Sequence, residues 1–280
     1  MAAQPRADRD MDSSDDSILI GECADGIVII RLNRPARLNA LTREMVGALN
    51  DALDEVAARG DVRAVILTGS GRGFCSGQDV AAADARNRTA PSGVVERYYW
   101  QEQFAGMVER IRAMPQVIIA AVNGPCAGAG MALALAADIR LASRSARFLN
   151  AAIRLGLTAG ESGMSYMLPR LIGAARAFEI LLTGRAVDAE EAERVGLVVQ
   201  LTEDDMLLAK AEALARQILA NSPFATEHSK RLIWQNLDAP SLKAAIELEN
   251  RAQILASMTD DYKEATAAFT DRRPANFRGK

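Results

Sequence analysis

Short β-branched runs and helix-spaced apolar positions alternate along this chain. Ile18-Leu19-Ile20 and Ile27-Val28-Ile29-Ile30 flank the turn-forming Ala24-Asp25-Gly26 and predict a hairpin. Thr42 is placed to cap a helix whose apolar positions Met45, Val46, Leu49, Leu53 and Val56 recur at helical spacing, with Gly60 as its expected stop. Arg63 to Thr68 and Gln116 to Val122 read as strands, with a polar helix from Val95 to Met114 between them. Met131 to Ala137 reads as a helix and Ile139 to Ser143 as a strand, so strands and helices alternate and an α/β fold is predicted.

Beyond Ala174 the helical signal dominates. Asp188-Ala189-Glu190-Glu191 has capping-box character, Leu197 to Leu201 is a short strand, and Glu203 to Leu219 is periodic throughout. The stretch from Leu242 to Thr270 is amphipathic, and Leu248, Ile254, Leu255 and Met258 give it more apolar surface than a solvated end helix needs. Contact between subunits is its expected use. Residues 1–16 are rich in Asp, Arg and Ser, lack the apolar stretch of a secretory signal, and are expected to form a disordered tail.

With 280 residues and 49% hydrophobic content the chain is able to bury a substantial core. Acidic residues exceed basic ones by 36 to 33, and no segment concentrates one sign, so a nucleic-acid surface is not expected. Three cysteines without a CxxC pair, and His228 as the single histidine, argue against a metal centre or a disulfide framework. The longest apolar runs fall short of the ~20 residues that span a bilayer. A cytoplasmic protein with no membrane association is expected.

The candidate chemistry lies in two loops at strand ends, Gly69 to Gln78 and Asn123 to Gly130. Small residues there let backbone approach a ligand, and the second loop opens a helix, whose free amides and dipole favour a developing negative charge. Neither loop has the Gly-Lys-Ser/Thr of a phosphate-binding loop or the full GxGxxG spacing of a dinucleotide site. Gly124-Pro125-Cys126-Ala127-Gly128 has the outline of a nucleophile elbow with Cys for Ser, but a cysteine nucleophile needs a base, and His228 is the only imidazole available.

Leu32-Asn33-Arg34-Pro35 with Asn39-Ala40-Leu41, Phe74-Cys75-Ser76-Gly77-Gln78-Asp79, Val122-Asn123-Gly124 with Gly128-Ala129-Gly130, and Leu168-Pro169-Arg170 with Gly173 form an ordered series. Together with Ala268-Phe269-Thr270-Asp271-Arg272-Arg273-Pro274, this series resembles the motifs of the crotonase (enoyl-CoA hydratase/isomerase) superfamily over roughly residues 18–278. The resemblance implies a spiral of ββα units over residues 17–205 and a C-terminal helical trimerisation region over 206–280. It also implies an acyl-CoA substrate, no cofactor beyond the CoA itself, and a homotrimer or dimer of trimers.

Carried onto this sequence, the resemblance places the oxyanion-hole amides at Gln78 and Ala129. It puts Arg37, Ser76, Asp79 and Val80, with Phe269 and Arg272, near the CoA. Hydratases of the family carry two glutamates where this chain has Ala132 and Ala152, and neither alanine transfers a proton. Glu161 stands where other branches carry a catalytic aspartate. Enoyl-CoA isomerase-type proton transfer by Glu161 is therefore expected. The alternatives are a hydrolase- or dehalogenase-type reaction at Glu161, or a non-catalytic CoA-binding member. Burial would raise the Glu161 pKa and a nearby helix start would lower it.

Overall fold

In the computed structural model, which describes residues 16–83, 93–150 and 152–280, β1 (Ile18–Cys23) and β2 (Ile27–Leu32) pair antiparallel as the expected hairpin. The tail expected over residues 1–16 lies outside the described residues apart from Asp16. Further strands are β3 (Ala64–Gly69), β4 (Val117–Val122), β5 (Pro125–Ala127), β6 (Ile139–Ser143), β7 (Arg147–Leu149), β8 (Ala186–Asp188) and β9 (Gln200–Thr202). The main sheet runs β1-β2-β3-β4-β6-β9, parallel from β2 onward, and a smaller sheet runs β5-β7-β8. Every residue of β3 and β4 is buried, which is why their sequences are continuous apolar runs instead of alternating ones.

The helices are α1 (Arg43–Ala57), α2 (Val94–Ala113), α3 (Ala129–Ala136), α4 (Met164–Ile172), α5 (Ala174–Thr183), α6 (Ala189–Arg194), α7 (Leu207–Leu219), α8 (Pro223–Asn236), α9 (Leu242–Ser257) and α10 (Asp260–Asp271). One face of the main sheet, with Val65, Leu67, Ile118 and Val122, shares a core with Met45 and Leu49 of α1, Phe104 and Met107 of α2, and all of α3. The other face, with Ile27, Ile29, Ile66 and Ile119, lies under Leu207, Ala211 and Ala215 of α7. Small alanines on α7 let that helix sit close to the strands.

Several boundaries differ from the expected ones. Helix α1 ends through Ala58, whose amide reaches the Asp54 carbonyl, and Gly60 lies beyond it with no left-handed backbone, so that glycine is not the stop. Leu197 and Val198 are core residues of a turn, and pairing with β6 begins only at Gln200, opposite Leu141. Residues Asp204–Met206 form a 3-10 turn before α7. The amphipathic stretch from Leu242 to Thr270 is two helices, because Thr259 accepts the Tyr262 amide and caps a new start at α10. Leu242, Ile254, Leu255 and Met258 remain exposed, and α9 buries none of its residues in this chain. Among the described residues no helix is long and apolar enough to cross a membrane.

Candidate active site

The two loops leave the carboxyl ends of β3 and β4 and are tied to each other through backbone. Phe74 and Cys75 both donate to the Pro125 carbonyl at 3.1 Å, and Ala127 returns a bond to the Cys75 carbonyl at 2.8 Å. Two asparagines pin the first loop from inside. Asn39, fully buried, donates from Nδ2 to the Ser70, Gly73 and Phe74 carbonyls at 2.8–3.1 Å and accepts the Arg34 amide at 2.8 Å. Asn123 donates to the Gly69 and Gly71 carbonyls and accepts the Gly69 amide.

These constraints decide where the Gln78 amide points. Leu41 pairs with Gln78 in a single parallel bridge, so the Gly77 carbonyl takes the Leu41 amide at 2.8 Å and the Asp79 amide reaches the Leu41 carbonyl at 2.9 Å. In such a bridge the central residue turns its own N–H to the opposite side. Across the gap, the Gly128 amide is taken by the Leu149 carbonyl at 2.8 Å, while Ala129, the first residue of α3, presents one of that helix's unpaired donors. Among the described residues neither the Gln78 nor the Ala129 amide donates to a protein acceptor.

The Ala129 amide nitrogen lies against Gly77 of the first loop. Gly77 (φ 89°) leaves no room for a side chain, since a methyl group there would stand 2.9 Å from the Ala127 carbonyl oxygen and 3.4 Å from the Ala129 nitrogen. A methyl group on Gly128 (φ 50°) would stand 3.3 Å from Glu161 Oε1. The backbone angle favours glycine at both positions, and at Gly77 the close backbone leaves no space for anything else.

Glu161 arrives by way of the small sheet. Ala127 of β5 is opposite Leu149 of β7, so the chain leaving β7 starts beside Gly128. Asn150, fully buried, bonds the Ala159 carbonyl and the Ala152 amide and folds that chain back. Glu161 precedes α4 instead of lying in its first turn, because Gly163 (φ 77°) is the helix cap and the Glu161 backbone carbonyl accepts the Met164 amide. Among the described residues its carboxylate has no hydrogen-bond or ion-pair partner, and burial pushes its pKa above the ordinary carboxylate value. Of the two opposing effects expected for this group, desolvation prevails.

The remaining expected residues divide into two groups. Arg37 is exposed on a 3-10 turn, and its carbonyl accepts the Ser76 hydroxyl at 3.3 Å. Asp79 caps the turn that starts at Val80 by accepting the Ala82 amide at 3.1 Å, and it pairs with Arg34 at 3.2 Å. The Ala82 amide first, then Arg34, holds its carboxyl below the usual range. Val80 is exposed beside it. Phe269 and Arg272 lie instead at the end of α10, exposed, with no hydrogen bond or ion pair to either loop.

Cys126 is fully buried and its thiol pKa is pushed well up by desolvation, while His228 stacks on Phe224 of α8 at 4.0 Å between ring centres. Burial that favours the thiol form makes Cys126 a poor nucleophile. Among the described residues no cluster of His, Cys, Asp and Glu suits a metal ion.

Sequence reasoning gave no role to Asn39, Asn123 or Asn150, although each supplies the rigidity of the site. The available signal was a short polar side chain inside an otherwise apolar or glycine-rich run, where an amide donates to backbone carbonyls through Nδ2 and accepts backbone N–H groups through Oδ1. We expect Asn39→Ala to cost about 3 kcal/mol or more, because several buried groups lose partners and the left-handed residue (φ 55°) loses its favoured side chain. Urea denaturation measures this, and a loss below about 0.5 kcal/mol would contradict the role of the side chain as the loop's pin.

Two unclaimed amides near a partly buried carboxylate are groups chemically suited to holding a developing oxyanion beside a proton carrier or nucleophile. The description enoyl-CoA hydratase/isomerase belongs to the family model that matches residues 22–280, and the chain belongs to that family, as an enzyme acting on acyl-CoA. It is 43% identical to a probable enoyl-CoA hydratase of Mycobacterium bovis, over 93% of this chain and 92% of that one. It is 36% identical to the 1,2-epoxyphenylacetyl-CoA isomerase of Escherichia coli, over 94% and 98%. The crystal structure of an enoyl-CoA hydratase from Bacillus anthracis superposes with a TM-score of 0.88 at 30% identity, covering 95% of this chain and 100% of that one. The crotonase-like α/β fold expected from the motifs is therefore the fold observed.

Proposed function

We propose that this enzyme moves the double bond of an enoyl-CoA, with the thioester oxygen held by the Gln78 and Ala129 amides and Glu161 carrying the proton. The observation that supports this most is the single unpaired carboxylate beside Gly128 and the two free amides. Polarising the thioester carbonyl acidifies the adjacent carbon, and a carboxylate of raised pKa is a better match to that acid than an ordinary one. Glu161 takes a proton from one carbon and returns it to another, with no cofactor beyond the CoA. At the positions where family hydratases carry glutamates, Ala132 is fully buried in α3 and Ala152 is the buried first residue of a 3-10 turn. Nothing at either place positions a water for addition. A relative named as an isomerase is consistent with this chemistry.

The test is to incubate trans-3-hexenoyl-CoA and crotonyl-CoA separately with the enzyme in deuterated water. Conversion to the trans-2 isomer should exceed any hydration of crotonyl-CoA, with deuterium entering the product as far as the captured proton exchanges. Efficient hydration of crotonyl-CoA, or release of free CoA from either thioester, would replace isomerisation with water chemistry at the same carboxylate.

The exposed apolar positions of α9, together with the family resemblance, support a trimer or a dimer of trimers. Sedimentation equilibrium at micromolar concentration should then give a mass of three or six times the 30.0 kDa chain. A stable monomer would contradict this assembly.

A further inference from the structure

The Gln78 amide follows Gly77, a residue type with more backbone freedom than any other. Keeping that amide aimed at one point requires both peptide units around Gly77 to be held. The unit joining Gly77 to Gln78 is held by the Leu41 amide, which donates to the Gly77 carbonyl at 2.8 Å. The unit joining Ser76 to Gly77 is held by a side chain, because the Gly77 amide donates to Cys75 Sγ at 3.4 Å. Cys75 also touches the other loop. It is fully buried and opposite Cys126 in a one-residue parallel bridge, with its amide on the Pro125 carbonyl and its own carbonyl accepting the Ala127 amide. Gly130, in the first turn of α3, lies flat on it: a methyl group there would collide with the Cys75 carbonyl oxygen and stand 2.7 Å from the Cys75 Cβ. The Ala129 amide belongs to that same turn. Burial pushes the Cys75 thiol up to about 12, so the sulfur stays neutral and unreactive.

Resting on the proposal above that the thioester oxygen sits on the Gln78 and Ala129 amides, we infer that the Cys75 side chain is a positioning residue that sets the spacing of these two donors. Its sulfur holds Gly77 on one side, and its Cβ seats the first turn of α3 on the other. The sulfur itself matters to that spacing. Its 3.4 Å bond is longer than the ~2.9 Å usual for an oxygen acceptor, so serine in its place would draw Gly77 inward, and alanine would leave the Gly77 amide unheld. Cys75 thus acts on the reaction through backbone donors and touches no substrate atom.

The experiment titrates the intact protein at fixed pH with acetoacetyl-CoA, whose enolate has a near-ultraviolet band that its keto form lacks, alongside calorimetry with hexanoyl-CoA, which stays in its keto form. Cys75→Ala should lower the ratio of bound enolate to keto form about tenfold, the scale of a sub-ångström misplacement of one donor, and Cys75→Ser about threefold, with hexanoyl-CoA affinity within about twofold of wild type in both. Melting temperature should run in the opposite order, because burying a hydroxyl costs more than leaving a small apolar gap, so the serine variant melts below the alanine one. Enolate ratios that instead follow melting temperature, with serine worse than alanine, mark a merely structural side chain and overturn the inference. An unchanged ratio in Cys75→Ala overturns it as well. If Cys75→Ala does not fold, the serine variant decides alone: a loss of about threefold upholds the inference, and a loss above about tenfold in a folded protein overturns it. A wild-type protein that binds hexanoyl-CoA but shows no enolate band removes the oxyanion seat itself, and this inference with it.

Discussion

Glu161→Gln is expected to lower kcat by about 100-fold or more while changing acyl-CoA affinity little. The amide is nearly isosteric with the carboxylate and fits the same space beside Gly128, but it is unable to accept a proton. The wild-type profile should carry the signature of the same group. Because burial raises the Glu161 pKa, kcat/KM should rise with pH through an apparent value above the ordinary carboxylate range, as the base form appears.

Stability should move in the opposite direction to activity. A carboxyl that binds its proton more tightly in the folded chain than in the unfolded one favours folding most below its unfolded pKa. That contribution is lost as pH rises through the folded value. The unfavourable burial of the charge is therefore present at pH 7, and Glu161→Gln should be more stable than the wild type there, with the difference shrinking toward pH 4. A variant that keeps full turnover, or that loses stability at neutral pH, would mean that Glu161 is a structural acid and that another group carries the proton.

Removing the Ala129 donor is the second large effect. Ala129→Pro should reduce turnover by about 100-fold or more, the usual consequence of losing one preorganised donor to a transition-state oxygen. The substitution is favourable for isolating this term. Ala129 is the first residue of α3, where proline is well accommodated, and among the described residues its amide donates to no protein acceptor, so no hydrogen bond seen there is removed. The buried core beneath α3 should hold its circular dichroism and melting behaviour close to wild type. Free CoA should still bind, since Ala129 is not among the residues expected beside the CoA. A folded Ala129→Pro protein with undiminished activity would move the oxyanion site away from these two loops.

Taken together, the variants separate the two halves of the site. Loss of the amide weakens stabilisation of charge on the oxygen, and loss of the carboxylate removes the proton carrier. Because both act in one transition state, the double variant should fall less than the product of the single losses.

Much of this protein is determined by sequence alone. Helical apolar spacing placed α1, and β-branched runs about a turn placed β1 and β2, close to their observed bounds, since these signals are local and require nothing distant. The two glycine loops were legible for the same reason: Gly77 and Gly128 answer local needs of backbone angle and close approach. The order of motifs carried the family and named Gln78, Ala129 and Glu161 in advance.

What tertiary structure alone decided is how those residues meet. The freedom of the Gln78 amide depends on Leu41, a residue 37 positions earlier, occupying its neighbours in a one-residue bridge. Glu161 reaches Gly128 only because β5 and β7 pair and Asn150 turns the following chain back. The direction of its pKa shift came from desolvation, a sum over surroundings contributed by separate segments. Long-range pairing also fixed the late start of β9. A periodic pattern tells a segment which face to bury; it holds no information on which distant backbone atoms claim its hydrogen bonds, and those left unclaimed are what mark the candidate site.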